Sequence, residues 1–253
     1  MCLIVVAWQV HPDFPLVVAA NRDEYYARPT AHAQHWPDQP TVLGGRDLEA
    51  GGTWLGLAET GRFAAVTNVR EPAPAPGKRS RGALTHDFLA GDVSPEAYAR
   101  QIVDDEYAGF NLLLCDGRSL VYRSNRAPES RALPPGVYGL SNHLLDSPWP
   151  KLLSARQRLT AALPELPDRT PLFDLLTDRD IVPDDELPTT GVPLAWERLL
   201  SAIFVHSENY GTRASTVVTW HRTGTVRLCE HSFDAHGQRA HLSEISTSVK
   251  HGT

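Results

Sequence analysis

Short apolar runs separated by turn residues dominate the chain, and most of these runs come in pairs. The first pair, residues 3–10 and 16–20, flanks a proline-rich turn and predicts an antiparallel hairpin near the N-terminus. Residues 21–40 follow and are predicted to form a long polar loop. Further strands are predicted at residues 53–58, 63–70, 110–115, 120–123, 137–141, 215–220 and 225–233.

Helix signals lie between the hairpins. Ser80 is predicted to cap a helix that runs to residue 89, and Ser94 directly before a proline is a typical helix start. A leucine stripe predicts a helix at residues 149–163. After a broken, proline-rich helical region, residues 193–200 are predicted to be helical as well. This order of elements, rich in hairpins, favours antiparallel sheet with helices on its faces.

Composition limits the classes of function. The 253 residues are 42 % hydrophobic and 21 % charged, which suits one domain spanning residues 1–253. A net charge of −6 argues against nucleic-acid partners, and the absence of any apolar run near 18 residues argues against a membrane span. Neither the three cysteines nor the histidines have metal-ligand spacing, so no metal site is predicted. Because no basic leader precedes the first apolar run, a cytoplasmic location is predicted.

Cys2 carries the most informative chemistry. Methionine aminopeptidases remove Met1 when the second residue is small, so the mature chain is expected to begin with this cysteine. Its thiol then shares a residue with an α-amine, whose intrinsic pKa of about 7.7–8.0 suits a general base at neutral pH. One residue would supply both nucleophile and base. The alternative is a small apolar residue at the start of a strand.

Arg22 and Asp23 follow the second strand of the first predicted hairpin, close to the start of the first strand. An aspartate there can orient the α-amine of Cys2, while an arginine can lower the pKa of the thiol or anchor an anionic group. The alternative is a capped turn with an ordinary ion pair.

Further polar candidates lie at the ends of other predicted strands. Asn68 and Asn142 each end a strand, where a neutral amide is a good oxyanion donor; the competing interpretation of each is an Asx turn. Arg213 opens the last hairpin and can bind a carboxylate or a carbonyl, or else form a surface ion pair. His143 is a candidate ligand for non-covalently bound haem.

Taken together, these segments resemble the NRDE family, also called the Transport and Golgi organisation protein 2 family. The resemblance runs in order along nearly the whole chain. The motifs that carry it include Asn21-Arg22-Asp23-Glu24, Gly44-Gly45-Arg46-Asp47, Gly52-Thr53-Trp54-Leu55-Gly56, Ser80-Arg81-Gly82, Gly139-Leu140-Ser141-Asn142, Trp149-Pro150-Lys151 and Tyr210-Gly211-Thr212-Arg213.

The resemblance implies an α+β fold related to N-terminal-nucleophile hydrolases, a four-layer αββα sandwich of two antiparallel sheets. Penicillin V acylase and bile salt hydrolase are relatives with an N-terminal cysteine site. By similarity to them, the implied site residues are Cys2, Arg22, Asp23, Asn68, Asn142 and Arg213. The arginine and aspartate are closer in sequence here than in those hydrolases. Because neighbours on a strand point to opposite faces, this spacing leaves open which side chain faces the thiol.

Two functions are compatible with these residues. The first is a cysteine amidohydrolase that acts on a linear, non-peptide amide C–N bond, with Cys2 as nucleophile and no required cofactor. The second is a non-catalytic carrier of the same fold for a hydrophobic anionic ligand such as haem or acyl-CoA, with Arg22 and Arg213 as anion clamps. The family's association with haem trafficking and lipid metabolism motivates the second function. Both predict a small-molecule partner.

Overall fold

The computed structural model describes residues 2–73 and 75–249, and it contains two antiparallel sheets with helices. Its strands are β1 (Cys2–Trp8), β2 (Leu16–Tyr25), β3 (Thr30–Trp36), β4 (Gln39–Asp47), β5 (Leu55–Ala58), β6 (Arg62–Asn68), β7 (Phe110–Cys115), β8 (Leu120–Ser124), β9 (Arg131–Ala132), β10 (Gly136–Leu140), β11 (Tyr210–Trp220), β12 (Thr225–Phe233) and β13 (Arg239–Ser248). Its α-helices are α1 (Arg81–Ala90), α2 (Pro95–Gln101), α3 (Pro150–Ala162), α4 (Thr170–Leu176) and α5 (Leu194–Leu199).

The two sheets pack face to face and are covered by helices on their outer sides. The first sheet has the order β10-β1-β2-β11-β12-β13, and the second runs from β3 to β9 in chain order. Helices α3 and α4 contact the first sheet, while α1 and α2 contact the second. The predicted α+β class and the αββα sandwich are therefore confirmed.

Strand β1 explains why this layering forms. Ile4, Val6 and Trp8 belong to the core between the sheets, whereas Leu3 and Val5 belong to the core beneath α3 and α4. Successive side chains on a strand point to opposite faces, so an almost continuous apolar run supplies both cores.

The predicted helix starts are confirmed by their caps. The Ser80 hydroxyl accepts a hydrogen bond from the Gly82 N–H, and Ser94 accepts one from the Ala97 N–H. None of the helices in the described part has the length and apolar character needed to cross a bilayer.

The prediction of a loop over residues 21–40 is wrong. Strand β2 continues to Tyr25 because β11 pairs with it along its whole length, and β3 follows after a short turn. β3 lies at a sheet edge with only two of its seven side chains buried, and β13, at the edge of the other sheet, exposes most of its side chains. Edge strands of this kind lack the apolar alternation that a sequence pattern can detect.

Candidate active site

A cavity of about 160 Å³ opens where β1 begins, between the two sheets. Four of the residues predicted for the site line it: Cys2, Arg22, Asp23 and Asn68. The structure thus brings together side chains from the first hairpin and from the end of β6, on opposite sheets.

Strand register places Cys2 directly opposite Arg22. The thiol is half-buried, and the Cys2 carbonyl accepts a 3.0 Å hydrogen bond from the Ser141 hydroxyl. Burial raises the pKa of this thiol; the Asp23 carboxylate raises it further, while Arg22 and the Asp23 backbone N–H lower it. Arg22 thus lowers the thiol pKa, as expected of a neighbouring arginine, but burial outweighs it and the net direction is upward. Met1, whose removal the sequence predicts, lies outside the described residues.

Arg22 is held firmly on the cavity side of the first sheet. Its Nη1 donates to the Thr30 hydroxyl at 3.1 Å, its Nη2 lies 3.4 Å from Asp47 Oδ2, and its guanidinium lies 4.2 Å from the centre of the Trp54 ring. A carboxylate and an aromatic face therefore already occupy this arginine.

Asp23 points to the opposite face of the sheet, toward the helices. Its Oδ1 accepts a 2.7 Å hydrogen bond from the Thr212 hydroxyl. Its neighbour Asn21, on the same face, donates to the carbonyls of Leu176 and Ile203 at 2.9 Å. Strand alternation thus answers which side chain faces the thiol: Arg22 shares the cavity face with Cys2, and Asp23 adjoins it from the helix side.

Buried charges that the sequence analysis did not single out lie behind Asp23. Lys151, in the first turn of α3, donates to the Leu200 carbonyl at 2.7 Å, and burial lowers its pKa to about 8 although Asp23 opposes that shift. Burial likewise raises the pKa of Asp23, against the effect of Lys151. A buried ion pair, Arg70 with Glu197, completes this group. In the sequence, Lys151 stands only within the motif Trp149-Pro150-Lys151 at the start of a predicted helix.

Asn68 and Asn142 are hydrogen-bonded to each other, but their positions relative to the cavity differ. Asn142 Nδ2 donates to the Asn68 carbonyl at 3.1 Å and to its Oδ1 at 3.0 Å, and Asn142 itself is fully buried. Half-buried Asn68 lines the cavity, and no hydrogen bond within the described residues uses its Nδ2. Asn68 is therefore the available amide donor, and Asn142 fixes its orientation.

Arg213 and His143 do not line the cavity. Arg213 lies at a bulge between β11 and β2, and its Nη1 donates to the carbonyls of Tyr25, Tyr26 and Arg28. This arginine holds the β2–β3 turn in place. His143 is exposed, and its Nδ1 lies 2.7 Å from the Ser147 hydroxyl.

Close glycine contacts build the opposite wall of the cavity. A Cβ on Gly52 would lie 2.3 Å from the Gly82 carbonyl carbon, so residue 52 packs against the start of α1 only as glycine. A Cβ on Gly45 would likewise overlap the Trp54 ring. Both glycines belong to motifs that carry the family resemblance, and those motifs are thus the sequence signal for this wall.

Arg81 is a cavity residue that motif reasoning missed. It is the first residue of α1, it is half-buried, and its Nη1 donates to the Gly109 carbonyl at 3.1 Å. Burial lowers the pKa of its guanidinium, and the Cys2 thiolate is the nearby charge that most opposes this shift. Ser80-Arg81-Gly82 contributed to the resemblance, but nothing in its local pattern distinguished it from a helix cap.

Comparison with known proteins gives the same fold and one family. A solved structure of the mutant C2A of conjugated bile acid hydrolase from Clostridium perfringens matches with a TM-score of 0.54 at 9 % identity, covering 100 % of this chain and 97 % of that chain. Transport and Golgi organization 2 homologues from Mus musculus and Homo sapiens are 35 % and 34 % identical, each over 92 % of this chain and 93 % of the relative. The model of the family described as Transport and Golgi organisation 2 matches residues 1–235. The chain therefore belongs to the Transport and Golgi organisation 2 family.

Proposed function

We propose that this protein is a cysteine amidohydrolase that cleaves a non-peptide amide C–N bond. The observation that carries the proposal is the cavity shared by the Cys2 thiol and the Asn68 amide, with Asn142 orienting that amide. A nucleophile next to a neutral, fixed donor is the arrangement that acyl transfer requires. The fold shared with a hydrolase supports the proposal.

In the proposed reaction, Met1 is first removed and the α-amine of Cys2 accepts the thiol proton. Cys2 Sγ then bonds to the amide carbon, and Asn68 Nδ2 donates to the oxygen that becomes negative. The C–N bond breaks, the leaving amine takes the proton from the α-ammonium, and a thioester remains. Water, deprotonated by the α-amine, hydrolyses the thioester and releases a carboxylic acid and the free thiol.

The test is a screen of linear amides against purified protein whose intact mass confirms loss of Met1. Cys2→Ala should lower kcat for any amide found by about 1,000-fold or more. The matched control is Cys229→Ala, which removes a buried thiol of β12 away from the cavity and should retain activity. Hydrolysis that survives in Cys2→Ala would overturn the proposal.

The alternative, a carrier for haem or acyl-CoA, is favoured by the arginines of the cavity wall, because they suit an anionic ligand. Titrating haemin and an acyl-CoA into the unsubstituted chain, with amide hydrolysis assayed on the same preparation, separates the two functions. Tight binding by a chain that hydrolyses no amide would favour the carrier, with His143→Ala as the variant that tests haem ligation.

A further inference from the structure

We propose that Arg81 forms an anion subsite beside Cys2, so that the natural substrate is an amide with a carboxylate or similar anionic group near the scissile bond. That the bound anion belongs to a substrate rests on the proposed hydrolase function, whereas the anion subsite itself rests on the geometry of the cavity. Three arginines line the cavity, and their partners differ.

Two of these arginines are neutralised by the protein. Arg28 Nε lies 2.6 Å from Asp47 Oδ2, and its Nη1 lies 3.2 Å from Glu49. Arg22 pairs with the same Asp47 carboxylate. Neither cation is available to a ligand without displacing a carboxylate.

Arg81 differs because no carboxylate of the described residues lies within ion-pair distance of its guanidinium. Its one hydrogen bond in that part of the structure goes to the Gly109 carbonyl, a neutral group. Glu24 and Glu71 act on it only from a longer distance. A half-buried guanidinium without a counter-ion is a strong recognition group, because charge-assisted hydrogen bonds to an anion are stronger than those to neutral acceptors.

The backbone around Arg81 is rigid, which makes the subsite preorganised. Gly52 packs against Gly82, and the Thr85 hydroxyl donates to the Thr53 carbonyl, so the start of α1 is fastened to the loop before β5. The cation therefore stays at the cavity wall.

Alkylation of Cys2 with iodoacetate and with iodoacetamide tests the subsite without needing turnover. The Cys2 thiolate attacks both reagents. Any change in the thiol pKa therefore cancels in the ratio of the iodoacetate rate to the iodoacetamide rate. At Cys2, followed by peptide mass spectrometry, this ratio should exceed that of free cysteine by about tenfold. Arg81→Gln should return the ratio to the free-cysteine value.

The matched control is Arg79→Gln, two residues earlier. Arg79 pairs with Asp87 at 2.7 Å outside the cavity, so its loss should leave the ratio unchanged. An equal ratio in the unsubstituted chain and in Arg81→Gln would overturn the proposal, as would an equal drop in Arg79→Gln. If Arg81→Gln does not fold, the test is protection of Cys2 in the unsubstituted chain against iodoacetamide. Acetate should slow the labelling of Cys2 more than acetamide does. Equal protection by the two would overturn the subsite.

The subsite and the hydrolase can fail separately. A rate ratio that depends on Arg81 in a chain that hydrolyses no amide would keep the anion subsite and reject the hydrolase. Hydrolysis with equal kcat/KM for anionic and neutral amides, and an Arg81-independent ratio, would keep the hydrolase and reject the subsite.

Discussion

The two faces of the β1–β2 hairpin carry charge in different ways. On the face toward the second sheet, Cys2 and Arg22 border a cavity whose wall includes Arg81, a cation without a carboxylate partner in the described structure. On the face toward the helices, Asp23 and Lys151 are buried and hydrogen-bonded within the protein. The cavity face presents its charges to a ligand and the helix face buries its charges in hydrogen bonds, with Asp23 bordering the cavity from the helix side.

This difference follows from the two-residue period of a strand. The side chains of Arg22 and Asp23 point to opposite faces of the sheet. Two residues that are adjacent in the motif therefore lie in two different environments. Substitutions on the helix side should therefore reduce stability, and substitutions on the cavity side should reduce turnover. In order of decreasing expected effect, Glu197→Gln, Asn68→Ala and Lys151→Met test that division.

Glu197→Gln should give the largest loss of stability. Glu197 contacts Arg70, whose side chain is almost fully buried, and also accepts hydrogen bonds from the Thr190 N–H and hydroxyl. Removing one member of a buried ion pair costs about 3–5 kcal/mol because the other charge stays buried. Thermal unfolding should show a melting temperature lower by about 10 °C.

The control for this prediction is Asp184→Asn, which breaks an exposed pair with Arg198 and should leave the melting temperature unchanged. The double substitution Arg70→Met with Glu197→Leu should recover part of the loss. If Glu197→Gln melts like the unsubstituted chain, the helix-side charges do not stabilise the scaffold and the division between the faces fails.

Asn68→Ala should give the largest loss of turnover. With an amide from the Cys2-dependent screen, kcat should fall about 100- to 1,000-fold, because the cavity loses its oxyanion donor. Asn142→Ala should lower kcat less, since it frees Asn68 to rotate, yet it should destabilise the fold more because Asn142 is fully buried. Steady-state kinetics and thermal unfolding of both variants check the order; a larger kcat loss in Asn142→Ala would reverse the assigned parts.

Much of the fold was predictable because its central strands are apolar and its helices begin with typical caps. The hairpin β7–β8 and helix α2 form close to where their patterns predict them. The edge strands β3 and β13 were missed, because an exposed strand owes its conformation to its neighbour and not to its own periodicity.

The site was predictable only in part. Cys2 has a recognisable chemistry, and the hairpin register that sets Arg22 opposite it follows from turn length. The positions of Arg81 and Lys151 in the site could not be predicted from the local sequence, because segments distant in sequence create their environment. Arg213 illustrates the converse: a bulge turns its guanidinium toward three carbonyls of the β2–β3 turn, which no local pattern encodes.

Lys151→Met should change the pH dependence of stability on the helix side. The pKa of Lys151 is about 8 in the fold, against about 10.4 in an unfolded chain. Between these values the unfolded chain binds more protons, so this lysine makes the free energy of unfolding rise with pH, by up to about 1.4 kcal/mol per unit. Lys151→Met lacks that contribution. Urea unfolding at pH 7, 8, 9 and 9.5 should therefore show the unsubstituted chain gaining roughly 1–2 kcal/mol relative to the variant. The control is Lys78→Met, which removes an exposed ammonium; its difference in free energy of unfolding from the unsubstituted chain should not change with pH. If the difference for Lys151→Met does not change with pH either, burial does not lower the pKa of Lys151 in the folded protein.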